Sequence, residues 1–428
     1  MTTAHGGSQS ASVEASLTPD AAQTPQRVVY FLLLTVALDA MGLGLLIPVT
    51  PQLILKLTGE GLARAAIYGG WLTATFAIIQ FFAGPLLGSI SDHTGRRPVL
   101  LISLGAFGLS YVLMGYAPSL AWLFLAQMLT GLFGATPATA GAFLADITPP
   151  AGRTRVFGSM AAAFGTGFII GPALGGMLVS YGLRVPFLTA AALSGVTVIY
   201  GALVLPESLP RSRRRGFAWR RANPWGAVSE LRRRSRVVLL LLTAFLQRVS
   251  TSALPATWPY FSMQQYGWGS RQVGYSLAAF GVATVVNQVW LLRWMDRTIG
   301  PVRAAEFGLL MLALGYVGFA FGHGAWVAPV CIPLATMGFM AGPALASMLS
   351  VRVAGDAQGM LQGVLASING VAAVLTPLIM PTLFSVFSSG NLGVRFPGAP
   401  YILSAALAVL GTLFVARGAA AHGPNRAL

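Results

Sequence analysis

Residues 84–98 read Gly84-Pro85-Leu86-Leu87-Gly88-Ser89-Ile90-Ser91-Asp92-His93-Thr94-Gly95-Arg96-Arg97-Pro98. They form a brief polar loop between two long apolar segments, and that pattern decides what kind of fold is possible. A run of about 20 apolar residues is long enough to cross a bilayer as a helix. In hydrocarbon every backbone N–H and C=O must be satisfied within the protein, so such runs are helical. An interruption this short must turn one helix directly back into the next. Gly88 lets two helices approach closely, and Gly95 can supply the positive φ of a tight turn. Asp92 can then pair with Arg96 or Arg97, or cap a neighbouring helix N-terminus.

The same reading extends along the chain. Of 428 residues, 55% are hydrophobic and only 9% charged, with a mean hydropathy of +0.71. Soluble domains carry roughly 25% charged residues, so the chain is a membrane protein. Apolar segments fall at about 28–50, 67–91, 98–117, 120–145, 156–181 and 186–205, then 237–262, 272–292, 304–322, 325–350, 360–386 and 398–416. This predicts an all-α membrane protein of twelve transmembrane helices. The expected organisation is a disordered cytoplasmic tail (1–27), a six-helix bundle (28–205), a basic cytoplasmic linker (206–236), a second six-helix bundle (237–417) and a cytoplasmic tail (418–428).

Proline, glycine and aspartate positions recur at one offset. Pro48 matches Pro255 (207), Asp92 Asp296 (204), Pro137 Pro343 (206), Gly158 Gly363 (205) and Pro172 Pro377 (205). Five ordered matches at nearly one spacing indicate a duplicated half. Two repeats with a site between them is a common arrangement in secondary transporters.

Charge fixes the expected topology. With both ends inside, 21 of the 27 basic residues fall on cytoplasmic segments, ten of them in the linker, and five fall outside. The positive-inside rule therefore orients the chain, and the net charge of +16 is explained without a nucleic-acid partner. The linker is expected to rest on anionic lipid headgroups. Residues 1–26 lack a basic n-region and a cleavage site, so no signal peptide is expected. Cys331 is the one cysteine, and four scattered His give no metal-ligand spacing, so neither a disulfide nor a metal is expected. No GxxxxGK[ST] occurs, so ATP is not expected to drive transport. No nucleophile, paired-carboxylate or metal constellation suggests an enzyme, and no cofactor is expected.

Residues 84–98 resemble the signature cytoplasmic loop of the major facilitator superfamily, with a degenerate copy at Asp296-Arg297-Thr298-Ile299-Gly300-Pro301-Val302-Arg303. Gly165-Thr166-Gly167-Phe168-Ile169-Ile170-Gly171-Pro172-Ala173-Leu174-Gly175-Gly176 resembles the Gly-Pro motif of the superfamily's antiporters. Finer matches at Leu38–Gly42, Ala145–Thr148, Leu205–Ser208, Ser276–Gly281 and Gln358–Gly363 are similar to the twelve-helix tetracycline/cation antiporters. That resemblance implies a proton-coupled exporter in a bacterial-type inner membrane. It also implies that Asp146 joins Asp92 and Arg96 in a cytoplasmic charge cluster that latches the outward-facing state, with Gly88, Gly95 and Arg97 in the same gating loop. The chain departs from those antiporters at Gln127, where they carry an arginine, at Ser110 and about Leu312, where they carry acids, and at Thr284, where they carry a histidine.

Asp39 is the acid placed deep within a span. A charge at that depth is costly and by default functional, which makes Asp39 the expected proton-coupling group. Arg248 lies about eleven residues into the seventh span, ahead of Pro255 and Pro259. Its planar fork suits a carboxylate or phosphate, and it can serve a substrate or pair with Asp39. Gln80, Gln127, Gln247, Asn287, Gln288 and Asn369 are intramembrane amides expected to line a substrate cavity or to bond neighbouring helices. Trp258 and Tyr260 read as cavity walls or interfacial aromatics. The composite expectation is a monomer that exchanges protons for a small amphipathic compound of drug or antibiotic type. The alternative is export of an endogenous anionic metabolite such as a carboxylate siderophore.

Overall fold

The structure, a computed structural model, describes residues 26–134, 136–210, 212, 214, 235–353, 358–390 and 393–419. Most of the expected terminal tails and of the basic linker, with its lipid contacts, lies outside these residues, while 26–27 and 418–419 continue the first and last helices. Twelve helices are long and apolar enough to span a membrane. They are α1 (Gln26–Leu46), α2 (Leu62–Thr94), α3 (Arg96–Gly115), α4 (Leu120–Ile147), α5 (Pro150–Tyr181) and α6 (Val185–Val204). The second set is α7 (Val237–Tyr266), α8 (Ser270–Thr298), α9 (Gly300–Phe321), α10 (Val327–Arg352), α11 (Gln358–Ser388) and α12 (Ala399–Gly418).

Three boundaries correct the sequence reading. The first span stops at Leu46, because Pro48 and Pro51 break the chain and Thr50–Thr58 forms a separate short helix. The stretch read as a loop after the second span is mostly helix. The α2 helix runs on to Thr94, and the turn is Gly95 alone, at φ +118°. The eighth span extends to Thr298, past the point where hydropathy falls, since helical hydrogen bonding does not end at the hydrocarbon boundary. The α7 helix likewise continues through Pro255 and Pro259.

Packing repeats in the second half with every helix number raised by six. In the first half α1 packs on α5 and α6, α3 on α6, and α2 on α4. In the second, α7 packs on α11 and α12, α9 on α12, and α8 on α10. The halves meet through α5 with α8 and α2 with α11, pairs that exchange under the same renumbering. The duplication read from proline and glycine offsets is thus a duplicated bundle.

Small residues make these contacts. Gly167, Gly171 and Gly175 recur every four residues on one face of α5 and lie against the backbone of Ala37, Met41 and Leu45 of α1, where a Cβ would collide. Gly176 of that motif faces Ser270, and the Pro172 carbonyl meets Gly274 of α8. The Gly-Pro motif therefore occupies a junction of three helices, two from one repeat and one from the other.

Candidate functional site

Among the described residues, the glycine contacts that join the repeats lie toward one end of the helices and are missing at the other. On α5 the stripe Gly176, Pro172, Ile169, Gly165, Gly158 follows helical spacing; its first three members touch α8 at Ser270, Gly274 and Gly281. Among the described residues, no atom of another element lies within 4 Å of where a Cβ would stand at Gly165 or Gly158. On α2, Gly70 abuts Pro377 and Pro381 of α11, and Phe81 abuts Gly370, whereas Gly88, seven residues further on, faces open space. Gly363, seven residues before Gly370 on α11, is equally open. The repeats are closed at the end that carries Pro48 and Ser270 and parted at the end that carries Arg96.

At the closed end Ser270 Oγ, buried, donates to the Pro48 carbonyl at 2.6 Å. Among the described residues this is the hydrogen bond that crosses between repeats. Its net worth is about 0.5–1.5 kcal/mol. Ser270→Ala is therefore expected to shift the balance between closed and open ends about two- to tenfold toward opening. Spin-label distances across the closed ends of α5 and α8 would measure this, and an unchanged distance distribution would contradict it.

At the parted end a charge cluster is built from the first repeat and the start of the linker. Arg96 pairs with Asp92 at 2.6 Å and with Asp146 at 3.2 Å, and its Nη1 donates to Ser91 Oγ at 3.3 Å. Arg97 instead donates to the Ala202 carbonyl at 2.6 Å, at the C-terminus of α6, so Arg96 is the partner of Asp92. Glu207, quoted above only as part of a family match, completes the cluster. Its Oε1 accepts the Arg96 backbone N–H at 2.8 Å and the Leu209 N–H at 3.1 Å, placing a carboxylate at the N-terminus of α3. Gly95 lies directly under Glu207, with no room for a Cβ. The cluster is formed while the repeats are apart at this end.

Asp39 is buried in α1 and makes no hydrogen bond or ion pair among the described residues. Tyr111 of α3 lies within its electrostatic reach, and the Tyr111 hydroxyl is itself buried without a partner. Arg248 is half-buried on α7, and its Nε is buried and unpartnered. Asp39 and Arg248 are not paired in this structure, since the ion pairs between described residues are Arg64–Glu60, Arg96–Asp92 and Arg96–Asp146.

The amides divide by environment. Gln80 Nε2 of α2 donates to the Gly134 carbonyl at 2.7 Å, where α4 is interrupted between Leu132 and Thr136. Asn287 Nδ2 of α8 donates to Thr336 Oγ1 at 2.8 Å and to the Pro333 carbonyl at 3.1 Å, just ahead of a 3₁₀ turn in α10. Gln247 Nε2 of α7 reaches the Gly338 carbonyl within that turn at 3.1 Å. These three hold irregular segments of α4 and α10, an interhelical role. Gln288 continues the α5-facing stripe of α8 beyond Gly281 and is exposed, as is Asn369; Gln127 is half-buried. No hydrogen bond engages these three among the described residues.

The positions that depart from the family pattern are filled by other means. Thr130 Oγ1 donates to Ser110 Oγ at 2.9 Å, and Leu312 is fully buried against Gly338. Thr284 bonds the Phe280 carbonyl. Trp258 is neither cavity wall nor belt; it is fully buried, bonded to Ser276 and packed among Phe261, Tyr266, Trp268 and Phe319.

Two six-helix repeats related by a fixed offset and joined through two exchanged helix pairs define a membrane protein with the architecture of a secondary transporter. The Major Facilitator Superfamily model matches residues 32–377 and again 240–427. The tetracycline resistance protein, class C, of Escherichia coli is 36% identical over 386 residues, covering 90% of this chain and 95% of its own length. The nucleoside transporter NupG superposes with a TM-score of 0.72 at 14% identity, covering 91% of this chain and 98% of its own. The human organic anion transporter MFSD10 does so at 0.68 and 22% identity, covering 93% and 100%. The chain belongs to the Major Facilitator Superfamily.

Proposed function

We propose that the protein is a proton-coupled exporter of the inner membrane that expels a small amphipathic compound of drug or antibiotic type by rocking its two repeats about a midplane site. The observation that carries this reading is the 36% identity, over nearly its whole length, to a tetracycline resistance protein. Asp39 supports the coupling, because proton uptake there neutralises a buried charge that no cation balances among the described residues. The distribution of arginine supports cytoplasmic termini, which makes the parted end cytoplasmic and the structure inward-facing. One chain carries both repeats and hence a whole pathway, which supports function as a monomer.

The absence of acids at Ser110 and Leu312 argues against a cationic metal–drug complex as substrate. A second reading, export of an anionic metabolite, draws on the unpartnered Nε of Arg248. A panel of antibiotics and carboxylate compounds in an efflux-deficient host, followed by pH-driven uptake into everted vesicles, tests both. Failure of every compound to respond to a proton gradient would reject the coupling.

The Arg96 cluster is proposed to set the rate of the cycle. A Cβ at Gly88 has open space around it among the described residues, so Gly88→Leu adds bulk where that face would close, and Asp92→Ala removes the shorter of the two ion pairs of Arg96. Both variants are expected to lower turnover severalfold with substrate affinity unchanged. Reduced affinity at normal turnover would contradict this role.

A further inference from the structure

The copy of the signature segment in the second repeat has a different environment from the original. Arg293, Arg297 and Arg303 are all exposed, and none forms an ion pair within 4 Å among the described residues. The nearest carboxylates in sequence, Asp296 and Glu306, engage none of them. In the first repeat, by contrast, Arg96 is consumed by Asp92 and Asp146. Trp290 and Trp294 stand beside the free arginines, 76% and 62% exposed. At 100° per residue, Arg293, Trp294 and Arg297 share an arc of about 100° on α8, and Trp290 stands in the π-helical turn just ahead of them. Residues four apart place their Cβ atoms about 6 Å from each other, a spacing that lets two guanidinium groups grip one phosphate.

We infer that this face of α8 is a binding site for an anionic phospholipid headgroup, with Arg293 and Arg297 on the phosphate, Arg303 at its edge, and Trp290 and Trp294 along the upper acyl chain. Uncompensated arginines select an anion. Two large exposed indoles beside them select one that is attached to hydrocarbon, because tryptophan settles at the boundary between headgroups and acyl chains. The site sits next to the π-helical turn Asn287–Leu291 and on one of the helices that join the repeats, so a lipid held there loads a moving part. The site does not depend on which compound is exported.

The test uses the purified full-length protein in detergent, titrated with cardiolipin, phosphatidylglycerol, phosphatidylcholine or inorganic phosphate, and read by native mass spectrometry and by thermal unfolding. Wild type is expected to retain cardiolipin and phosphatidylglycerol over phosphatidylcholine and to gain thermal stability from them. Arg293→Gln with Arg297→Gln is expected to weaken that binding about thirtyfold, with unfolding in the absence of added lipid unchanged. Arg293→Lys with Arg297→Lys should keep most of the binding, and Arg184→Gln with Arg395→Gln, at the opposite face, should keep all of it. Equal binding of phosphatidylcholine, unchanged binding by the double glutamine variant, or displacement of lipid by millimolar phosphate alone would overturn the proposal.

Discussion

Asp39→Asn is expected to abolish export against a gradient while expression, folding and substrate binding stay near normal. Asparagine matches aspartate in size, and the native carboxylate makes no hydrogen bond among the described residues, so little packing is disturbed. What disappears is the ability to gain and lose a proton in a buried position, which a transporter coupled through Asp39 cannot do without. The readout is pH-driven uptake in everted vesicles beside equilibrium binding of the same compound. A variant that still concentrates its substrate would remove Asp39 from the coupling and shift attention to acids at span ends such as Asp146.

Arg248→Leu is expected to lower transport of anionic compounds about ten- to a hundredfold, the worth of one charge-assisted hydrogen bond of about 1.5–3 kcal/mol. Arg248→Lys should retain part of the activity, because it keeps the charge and loses the fork. Neutral and cationic compounds should respond less. Reciprocity follows if Asp39 and Arg248 are coupled: an anion bound at Arg248 raises or lowers proton affinity at Asp39 by the same factor that protonation changes anion affinity. Wild-type export of every compound by Arg248→Leu would make the residue structural.

The number of spans, the duplication and the fold were all legible in the sequence because hydropathy and the spacing of proline and glycine are written locally. Helix ends were less so. Hydropathy marks where hydrocarbon stops, whereas α2 and α8 carry on as helices beneath charged residues such as Asp92 and Arg297. The charge cluster was legible as far as Asp92, Arg96 and Asp146, which the family pattern brings together. Glu207 was not, since its role depends on a contact 111 residues away in sequence with a backbone N–H rather than a side chain. The amides were the least legible. Residue type says that Gln80, Gln247 and Asn287 will seek hydrogen bonds, but only the fold reveals that the carbonyls they meet belong to interrupted stretches of α4 and α10. A signal did exist: Gln80 and Asn287 are separated by the repeat offset, as are Gly134 and Gly338.

The seam between the repeats is made largely of glycines resting on carbonyls and proline rings: Gly70 on Pro377, Gly274 on Pro172, Gly176 on Ser270. Such a seam is defined by backbone and by the lack of side chains, apart from the Ser270 hydroxyl, so a substitution elsewhere in the protein leaves its fit untouched. The polar groups proposed to meet substrate, Gln127 and Arg248 among them, form no part of this seam. The mechanical part of the molecule and its chemical preference can therefore evolve at different speeds, which leaves new cargo open to a lineage whose moving parts stay the same.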